Sequence, residues 1–222
     1  MSSVPLNSLL SRHEGRRGFV IGTGMSVSIL LDQFGYDANN LRQEVVVGCK
    51  QVHRRVPLTY WLSMDLPFFE REHVAIASSP FVKFAPVGAG RVGAQRVPGL
   101  IELAGEHSGP RPTVPETFND LALAEDTGLV ALQIAYLLGL NPIYVIGLGD
   151  RIHEGRMHFH DESRRPLTHT VADSMGKAVV DFVRSLQTVG VAVRSCSPIS
   201  VLNEVAPYVD IRSISSPGGS KS

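Results

Sequence analysis

The chain has 222 residues, and its composition, with 43% hydrophobic and 19% charged residues, is that of an ordinary globular protein. A chain of this length can bury a large core, so neither a disulfide nor a structural metal is needed for folding. The 21 basic and 21 acidic residues give a formal net charge of zero. This argues against binding of nucleic acid over a long footprint, which usually requires a basic excess.

The first half of the chain predicts four strands and one helix. Short apolar runs predict buried strands at residues 18–22, 44–48, 59–64 and 73–78, and a helix is predicted over residues 26–34. Residues 81–115 are rich in Gly and Pro and keep no period, so we expect loops there with at most one irregular strand.

The second half continues the alternation of helices and strands. Apolar residues at helical spacing predict helices over residues 126–138 and 171–188, and a short helix is expected near 199–205. Strands are predicted over 142–147 and 191–194, with a polar loop over 149–167. This alternation is typical of a mostly parallel sheet covered by helices, so we predict a Rossmann-like three-layer α/β/α fold.

The domain organisation predicted from this pattern is simple. We assign residues 1–17 to an N-terminal extension and 18–211 to a single Rossmann-like nucleotide-binding domain. Residues 212–222 form a Ser/Gly-rich stretch that we expect to be a disordered tail.

The run FVIGTGMS, residues 19–26, predicts a buried strand, a glycine turn and the start of a helix. Gly22 and Gly24 would let the backbone turn tightly and approach a ligand, and a helix N-terminus favours negative charge. We therefore predict that the turn from Gly22 to Ser26, with Thr23, binds phosphate through its backbone amides. The alternative is a tight turn with a serine cap and no ligand.

The dinucleotide-binding fingerprint is incomplete in this sequence. Val27 stands where the fingerprint has a third small residue, and Lys50 follows the second strand where an acid would bind the ribose hydroxyls. We predict that NAD is not the cofactor, while NADP remains compatible with Lys50. A Walker-type phosphate loop is also absent, because the chain has no Gly-Lys-Ser/Thr sequence.

Acidic residues follow or precede several predicted elements. Asp126 or Thr127 would cap the helix that begins there, and Thr127 with the Gly128 amide could also contact a ligand. Asp150 follows a central strand, where open α/β sheets bind ligands, and could accept a hydroxyl or hold a metal; it could also be a simple turn residue. Asp65 follows another strand and could line the same pocket.

Four of the eight histidines fall within seventeen residues: His153, His158, His160 and His169. Three interpretations stay open. His158 and His160 could form a metal site with Asp150 and Asp161, or one histidine could be a general base near neutral pH. The third is a mobile polar lid with solvated histidines. Arg164 and Arg165, on the same loop, could close over a phosphate or carboxylate.

Four segments resemble one known family. The run FVIGTGMSVSIL resembles the I-x-G-N-G-P-S-L opening of a Rossmann-like family that contains bacterial sialyltransferases, motility accessory factor glycosyltransferases and hydroxymethylpterin diphosphokinase-like proteins. Residues 45–65, 126–150 and 195–205 are similar to later family segments in the same order. Thr23 and Met25 replace the family's Asn and Pro, and Lys50 or Gln51 replaces its Asn after the second strand.

The resemblance implies a nucleotide-dependent transferase, with a glycosyltransferase that moves a sugar from a nucleotide-activated donor to a hydroxyl acceptor as first choice. It implies a CMP-sugar as favoured donor, no metal, and His169 as general base, with His158 and His160 as the next candidates. Asp150, from its place after the central strand, is a further predicted catalytic residue. The implied nucleotide-binding residues are Gly22, Thr23, Gly24, Ser26, Lys50, Gln51, Asp65, Thr127 and Gly128. The alternatives are ATP-dependent pyrophosphoryl transfer to a pterin, with magnesium, and a non-catalytic nucleotide-binding module.

The expected partners are therefore small molecules, a nucleotide and a hydroxyl acceptor, and no nucleic acid. No apolar segment approaches the length of a membrane span, and the N-terminus lacks the apolar region of a signal peptide. Cys49 and Cys196 have no metal or redox spacing and are expected to be buried and reduced. We predict a cytoplasmic protein, and a homo-oligomer formed through an edge strand or surface helix stays open.

Overall fold

The computed structural model describes residues 5–88, 97–104, 113–123, 126–160 and 169–214, with only the backbone described for 169–172. In this part of the chain one sheet of seven strands forms, in the order β5-β4-β3-β2-β1-β6-β7, and every pairing is parallel. The strands are β1 (Gly18–Ile21), β2 (Val45–Cys49), β3 (Tyr60–Leu62), β4 (Val82–Pro86), β5 (Leu100–Leu103), β6 (Ile143–Ile146) and β7 (Val193–Ser195).

Helices cover both faces of this sheet. Alternate strand residues point to opposite faces, so Val20 packs in one apolar cluster with α3 (Thr127–Leu137) and α4 (His169–Thr188). Phe19 packs on the other face against α1 (Ser26–Ser28) and the π-helical turn Ile29–Gln33 that continues it. On that second face, the aromatic side chains of α2 (Leu66–Ala77) pack against Trp61 of β3. The predicted three-layer α/β/α fold is confirmed.

The strand order places a crevice beside β1. The chain builds from β1 towards β5 on one side of the sheet and returns to add β6 and β7 on the other. The loops that leave β1 and β6 therefore diverge at the carboxyl ends of two adjacent strands. Open α/β sheets bind their ligands at such a point.

The predicted strand at residues 73–78 is wrong, because these residues belong to α2. Asp65 begins the helix by accepting a hydrogen bond from the amide of Phe68 at 3.1 Å, and a proline stands in the first turn. The buried residues of α2 recur at helical rather than alternating spacing: Phe68, Phe69, Glu72 and Ile76.

The expectation of at most one irregular strand in residues 81–115 is also wrong, because β4 and β5 both lie there. Polar residues inside these two strands interrupt the apolar pattern on which the prediction relied. Lys83, inside β4, is buried, and its ammonium donates to the carbonyls of Ser79 and Phe81. The other predicted strands and helices match the observed ones to within two residues at each end.

Both ends of the described chain pack against the domain. Leu9 is fully buried, and the amides of Ser11 and His13 donate to the carbonyls of Leu137 and Leu138 at the end of α3. Near the other end, Ile211–Ser213 form a 3-10 turn whose first residue is buried. None of the described helices is long and apolar enough to cross a membrane.

Candidate functional site

A pocket of about 100 Å³ opens at the carboxyl ends of β1, β2 and β6. A second cavity, of about 380 Å³, lies at the opposite edge of the sheet. We take the smaller pocket, called the cleft below, as the candidate site, because it lies at the divergence of β1 and β6 and gathers buried polar side chains. Seven of the predicted site residues line it: Gly22, Thr23, Gly24, Lys50, Thr127, Gly128 and Asp150.

The amides of the glycine turn already have acceptors inside the protein. The amide of Gly22 donates to the carbonyl of Ile146 at 2.8 Å, and that of Gly24 to Gly147 at 2.9 Å. The amide of Ser26 donates to the Asp150 carboxylate at 2.7 Å. These three contacts argue against the predicted binding of phosphate through the same amides.

The two glycines of this turn let the loops after β1 and β6 approach each other. A Cβ atom at Gly24 would lie 2.7 Å from Asp150 Cγ and 2.8 Å from the carbonyl oxygen of Gly147. A Cβ atom at Gly22 would likewise collide with that carbonyl. The glycines are therefore required for packing between two loops, and the interpretation that they only clear space for a ligand is incomplete.

Asp150 is a buried carboxyl group at the wall of the cleft, with an exposed fraction of 5%. Burial raises its pKa to about 6, against the opposing effect of the Ser26 amide and the nearby Ser26 and Ser197 hydroxyls. Neither Asp150 Oδ1 nor Ser26 Oγ has a hydrogen-bond partner by distance and angle among the described residues. Asp150 can thus exchange a proton near neutral pH.

His158 is the histidine that the structure brings into the cleft. Its Nδ1 lies 3.1 Å from the hydroxyl of Thr23, and the next residue, Phe159, donates its amide to the Thr23 carbonyl at 3.0 Å. Burial, together with the charges of His160 and Lys50, lowers the pKa of His158 to about 4. The imidazole is therefore neutral at physiological pH and can accept a proton.

The other predicted histidines occupy different positions. His160 stacks on His158, with ring centroids 5.4 Å apart and planes 7° apart, and does not line the cleft. His169 is the first residue of α4, and its side chain lies outside the described part, as do Asp161, Arg164 and Arg165. The resemblance favoured His169 as the general base. In the sequence, the histidine that lines the cleft belongs to the alternating segment His158-Phe159-His160.

At the end of β2, Lys50 has a left-handed backbone with φ of 45°. Its carbonyl lies 2.8 Å from Trp61 Nε1, which donates to it, and 2.7 Å from His53 Nδ1. Its ammonium lies 3.4 Å from Asp65, the residue that caps α2, and Asp65 itself does not line the cleft. Gln51 is buried in the adjoining turn, also away from the cleft.

The N-terminus of α3 closes the remaining side. Asp126 accepts a hydrogen bond from the Gly128 amide at 2.8 Å, so the predicted cap is confirmed. Thr127 Oγ1 accepts from the amide of Met64 at 3.3 Å. Burial raises the pKa of Asp126, and the charge of Lys50 offsets part of this increase. No group of three or more His, Cys, Asp or Glu side chains suited to a metal occurs among the described residues.

No protein-family model matches the chain, and a search of curated proteins finds no match. Among solved structures, the chain is similar to the sialyltransferase CstII from Campylobacter jejuni, described in complex with a substrate analogue, CMP-3FNeuAc. The two share 13% sequence identity with a TM-score of 0.48, over 87% of this chain and 86% of that chain. A likeness at this level does not assign a function, which must come from the geometry of the cleft.

Proposed function

We propose that this chain binds a nucleotide-activated sugar in the cleft and transfers the glycosyl group to a hydroxyl of an acceptor. The observation that carries the proposal is the pairing, around Gly24, of a neutral imidazole and a buried carboxyl group. His158 and Asp150 both line the cleft, and their pKa values, about 4 and about 6, make one a proton acceptor and the other a group that ionises near neutrality.

In the proposed reaction, His158 takes the proton of the acceptor hydroxyl. The acceptor oxygen then forms a bond to the anomeric carbon, and the bond between that carbon and the donor phosphate breaks, so the nucleotide leaves with the electron pair. An anionic donor beside His158 would raise the pKa of the imidazole from about 4 towards the working pH. The imidazole of His158 would therefore become an effective general base only when the donor is bound.

Asp150 would orient the donor in this scheme, because it lines the cleft. Asp150 Oδ1 is buried and makes no direct hydrogen bond among the described residues, so a ligand hydroxyl that reached it would satisfy this oxygen. Ribose and sugar rings supply such hydroxyls. The four sequence segments that resemble the sialyltransferase-containing family favour a CMP-sugar as donor.

Nucleotide class and metal dependence can be tested together. Thermal-shift measurements with CMP, CDP, UDP, GDP, ATP and NADP, each with and without EDTA, should show stabilisation by CMP that EDTA does not remove. Turnover of CMP-sugars with hydroxyl acceptors should follow. Stabilisation by ATP only in the presence of magnesium would instead support pyrophosphoryl transfer, and nucleotide binding without any turnover would support a non-catalytic module.

The role of His158 is tested by His158→Gln, because Gln can still bond to Thr23 but cannot act as a base. We expect turnover to fall by about 10²–10⁴-fold, with nucleotide affinity nearly unchanged. His73→Gln, on α2 and outside the cleft, is the matched control and should keep full activity. Full activity in His158→Gln together with a selective loss in His169→Ala would transfer the base to His169.

A further inference from the structure

The charged groups around the cleft are unevenly distributed. Among the described residues that line it, Lys50 is the one Lys or Arg side chain, whereas Asp126 and Asp150 are both acidic. The charge of Lys50 contributes to the lowered pKa of His158 and partly offsets the increase that burial causes in the pKa of Asp126. The ammonium group therefore acts on both sides of the cleft from the end of β2.

The backbone of Lys50 adopts a conformation that suits glycine better than lysine. A φ of 45° lies in the left-handed region, which residues with a Cβ atom rarely enter. The indole of Trp61, which is fully buried, donates to the Lys50 carbonyl and His53 Nδ1 lies 2.7 Å from it, so the surrounding structure holds this conformation. Such backbone strain is typical of functional sites, and the property that lysine adds over glycine here is its charge.

Asp65 neutralises this charge in the structure described. One oxygen of Asp65 caps α2 by accepting from the Phe68 amide, and the other lies 3.4 Å from the Lys50 ammonium. That separation is longer than the 2.7–2.9 Å of a strong charge-assisted hydrogen bond. A phosphate group could approach the ammonium without disturbing the cap.

The glycine turn, by contrast, already holds an anion. The carboxylate of Asp150 accepts from the Ser26 amide and lies where a Cβ of Gly24 would be. A phosphate placed there would meet the Asp150 carboxylate, and the amides of Gly22, Gly24 and Ser26 already have acceptors. Lys50 follows β2 and Asp150 follows β6, on either side of β1, so two strand spacings, about 10 Å, separate the two strand ends.

We propose that Lys50 binds the phosphate of the ligand and that the glycine turn does not. The ligand would then place its phosphate at the end of β2 and its hydroxyl groups towards Asp150. The nucleotide part of this assignment rests on the proposed function, whereas binding of an anion at Lys50 does not.

The test compares the full-length wild type with three variants, using pyrophosphate, CMP and cytidine as probes in calorimetry and thermal-shift measurements. Lys50→Asn removes the charge with a residue that tolerates the left-handed backbone, and Lys50→Arg keeps the charge. Asp65→Asn keeps the cap, since Asn caps as well as Asp, but removes the competing anion. Glu154→Gly is the matched control, because Glu154 has a φ of 50° but is exposed and outside the cleft.

We expect Lys50→Asn to be as heat-stable as the wild type without ligand and to bind pyrophosphate at least tenfold more weakly. Its affinity for CMP should fall to that for cytidine. Lys50→Arg and Glu154→Gly should bind both anions as the wild type does, and Asp65→Asn should bind them more tightly.

Two results would overturn the proposal: wild-type affinity for pyrophosphate and CMP in Lys50→Asn, or no binding of either anion by the wild type. A third result would show that the anion site at Lys50 exists although the proposed function is wrong. If Lys50→Asn loses pyrophosphate binding but the wild type binds CMP no better than pyrophosphate, the anion site stands and the nucleotide assignment fails.

Discussion

Asp150 occupies the position, beside the first glycine turn, that a phosphate group takes in many nucleotide-binding α/β proteins. Its carboxylate uses the Ser26 amide, and its burial makes the ionised form costly. We infer that a buried carboxyl group at this point disfavours a phosphate and favours the hydroxyl groups of a ligand. Single residues, rather than the fold, thus decide what the cleft can bind.

The pKa of Asp150 leads to a prediction on stability. The folded-state pKa is about 6, against 3.8 for an unperturbed aspartate. Between these values the folded protein keeps a proton on Asp150 that the unfolded chain has lost, so the contribution of Asp150 to stability should fall as the pH rises from about 4 to about 6. The lowered pKa of His158 acts in the opposite direction over the same range, so the effect of Asp150 is read from a comparison with a variant. Two pKa units correspond to about 3 kcal/mol, all of it lost above pH 6.

Asp150→Asn removes this ionisation and keeps an oxygen for the Ser26 amide. We expect chemical denaturation at pH 8 to show a variant that is about 1–3 kcal/mol more stable than the wild type. The advantage of the variant over the wild type should grow as the pH rises from about 4 to about 6, because only the wild type ionises Asp150 and the other titrating groups are common to both proteins. A variant less stable than the wild type at pH 8, with an unchanged pH profile, would contradict the prediction.

The glycine turn supplies a second prediction at this scale. Gly24→Ala places a Cβ atom against Asp150 Cγ and the Gly147 carbonyl, so we expect the free energy of unfolding to fall by about 2–4 kcal/mol even without ligand. Gly24→Val, which places a larger side chain against the same two groups, should cost more. Gly155→Ala, with a φ of 73° and no atom near its Cβ position, should cost only about 1 kcal/mol. Equal losses in Gly24→Ala and Gly155→Ala would exclude the packing role.

At the scale of elements, α2 shows how a local apolar run can mislead. The run HVAIAS alternates enough to suggest a strand, in which residues 74 and 76 would share a face. In the helix they do not: Val74 is 71% exposed and Ile76 is fully buried. The cap at Asp65 and the aromatic residues one turn later determine the helical state.

This difference can be measured with two truncations. Ile76→Ala should lower the free energy of unfolding by about 2–4 kcal/mol, because it leaves a cavity beside Trp61 and its neighbours. Val74→Ala should change it by less than about 0.5 kcal/mol, since the side chain faces solvent. Similar losses at both positions, in urea denaturation, would indicate that α2 is not the helix described.

For the molecule as a whole, strand order decides where chemistry can occur. β1 lies between β2 and β6, so the loops that follow these three strands meet at one edge, with the N-terminus of α3 above them. Residues from distant parts of the chain thereby form one cleft. The Asp150–Ser26 contact joins residues 124 apart in sequence, and the His158–Thr23 contact joins residues 135 apart.

The sequence alone determined the layered α/β fold, most strand and helix positions, the cap at Asp126 and seven of the residues that line the cleft. These features follow from patterns within a few residues, namely apolar periodicity, glycine turns and capping side chains. Such patterns place residues after parallel strands, and parallel strand ends must meet at one edge of the sheet.

Only the tertiary structure decided which groups in the cleft remain open to a ligand. The amides of Gly24 and Ser26 look open in sequence, but Gly147 and Asp150 use them. The low pKa of His158 results from its burial beside Thr23, a residue 135 positions away in the chain. Hydrogen-bond pairing and desolvation are properties of the folded chain, so no local pattern could have revealed them.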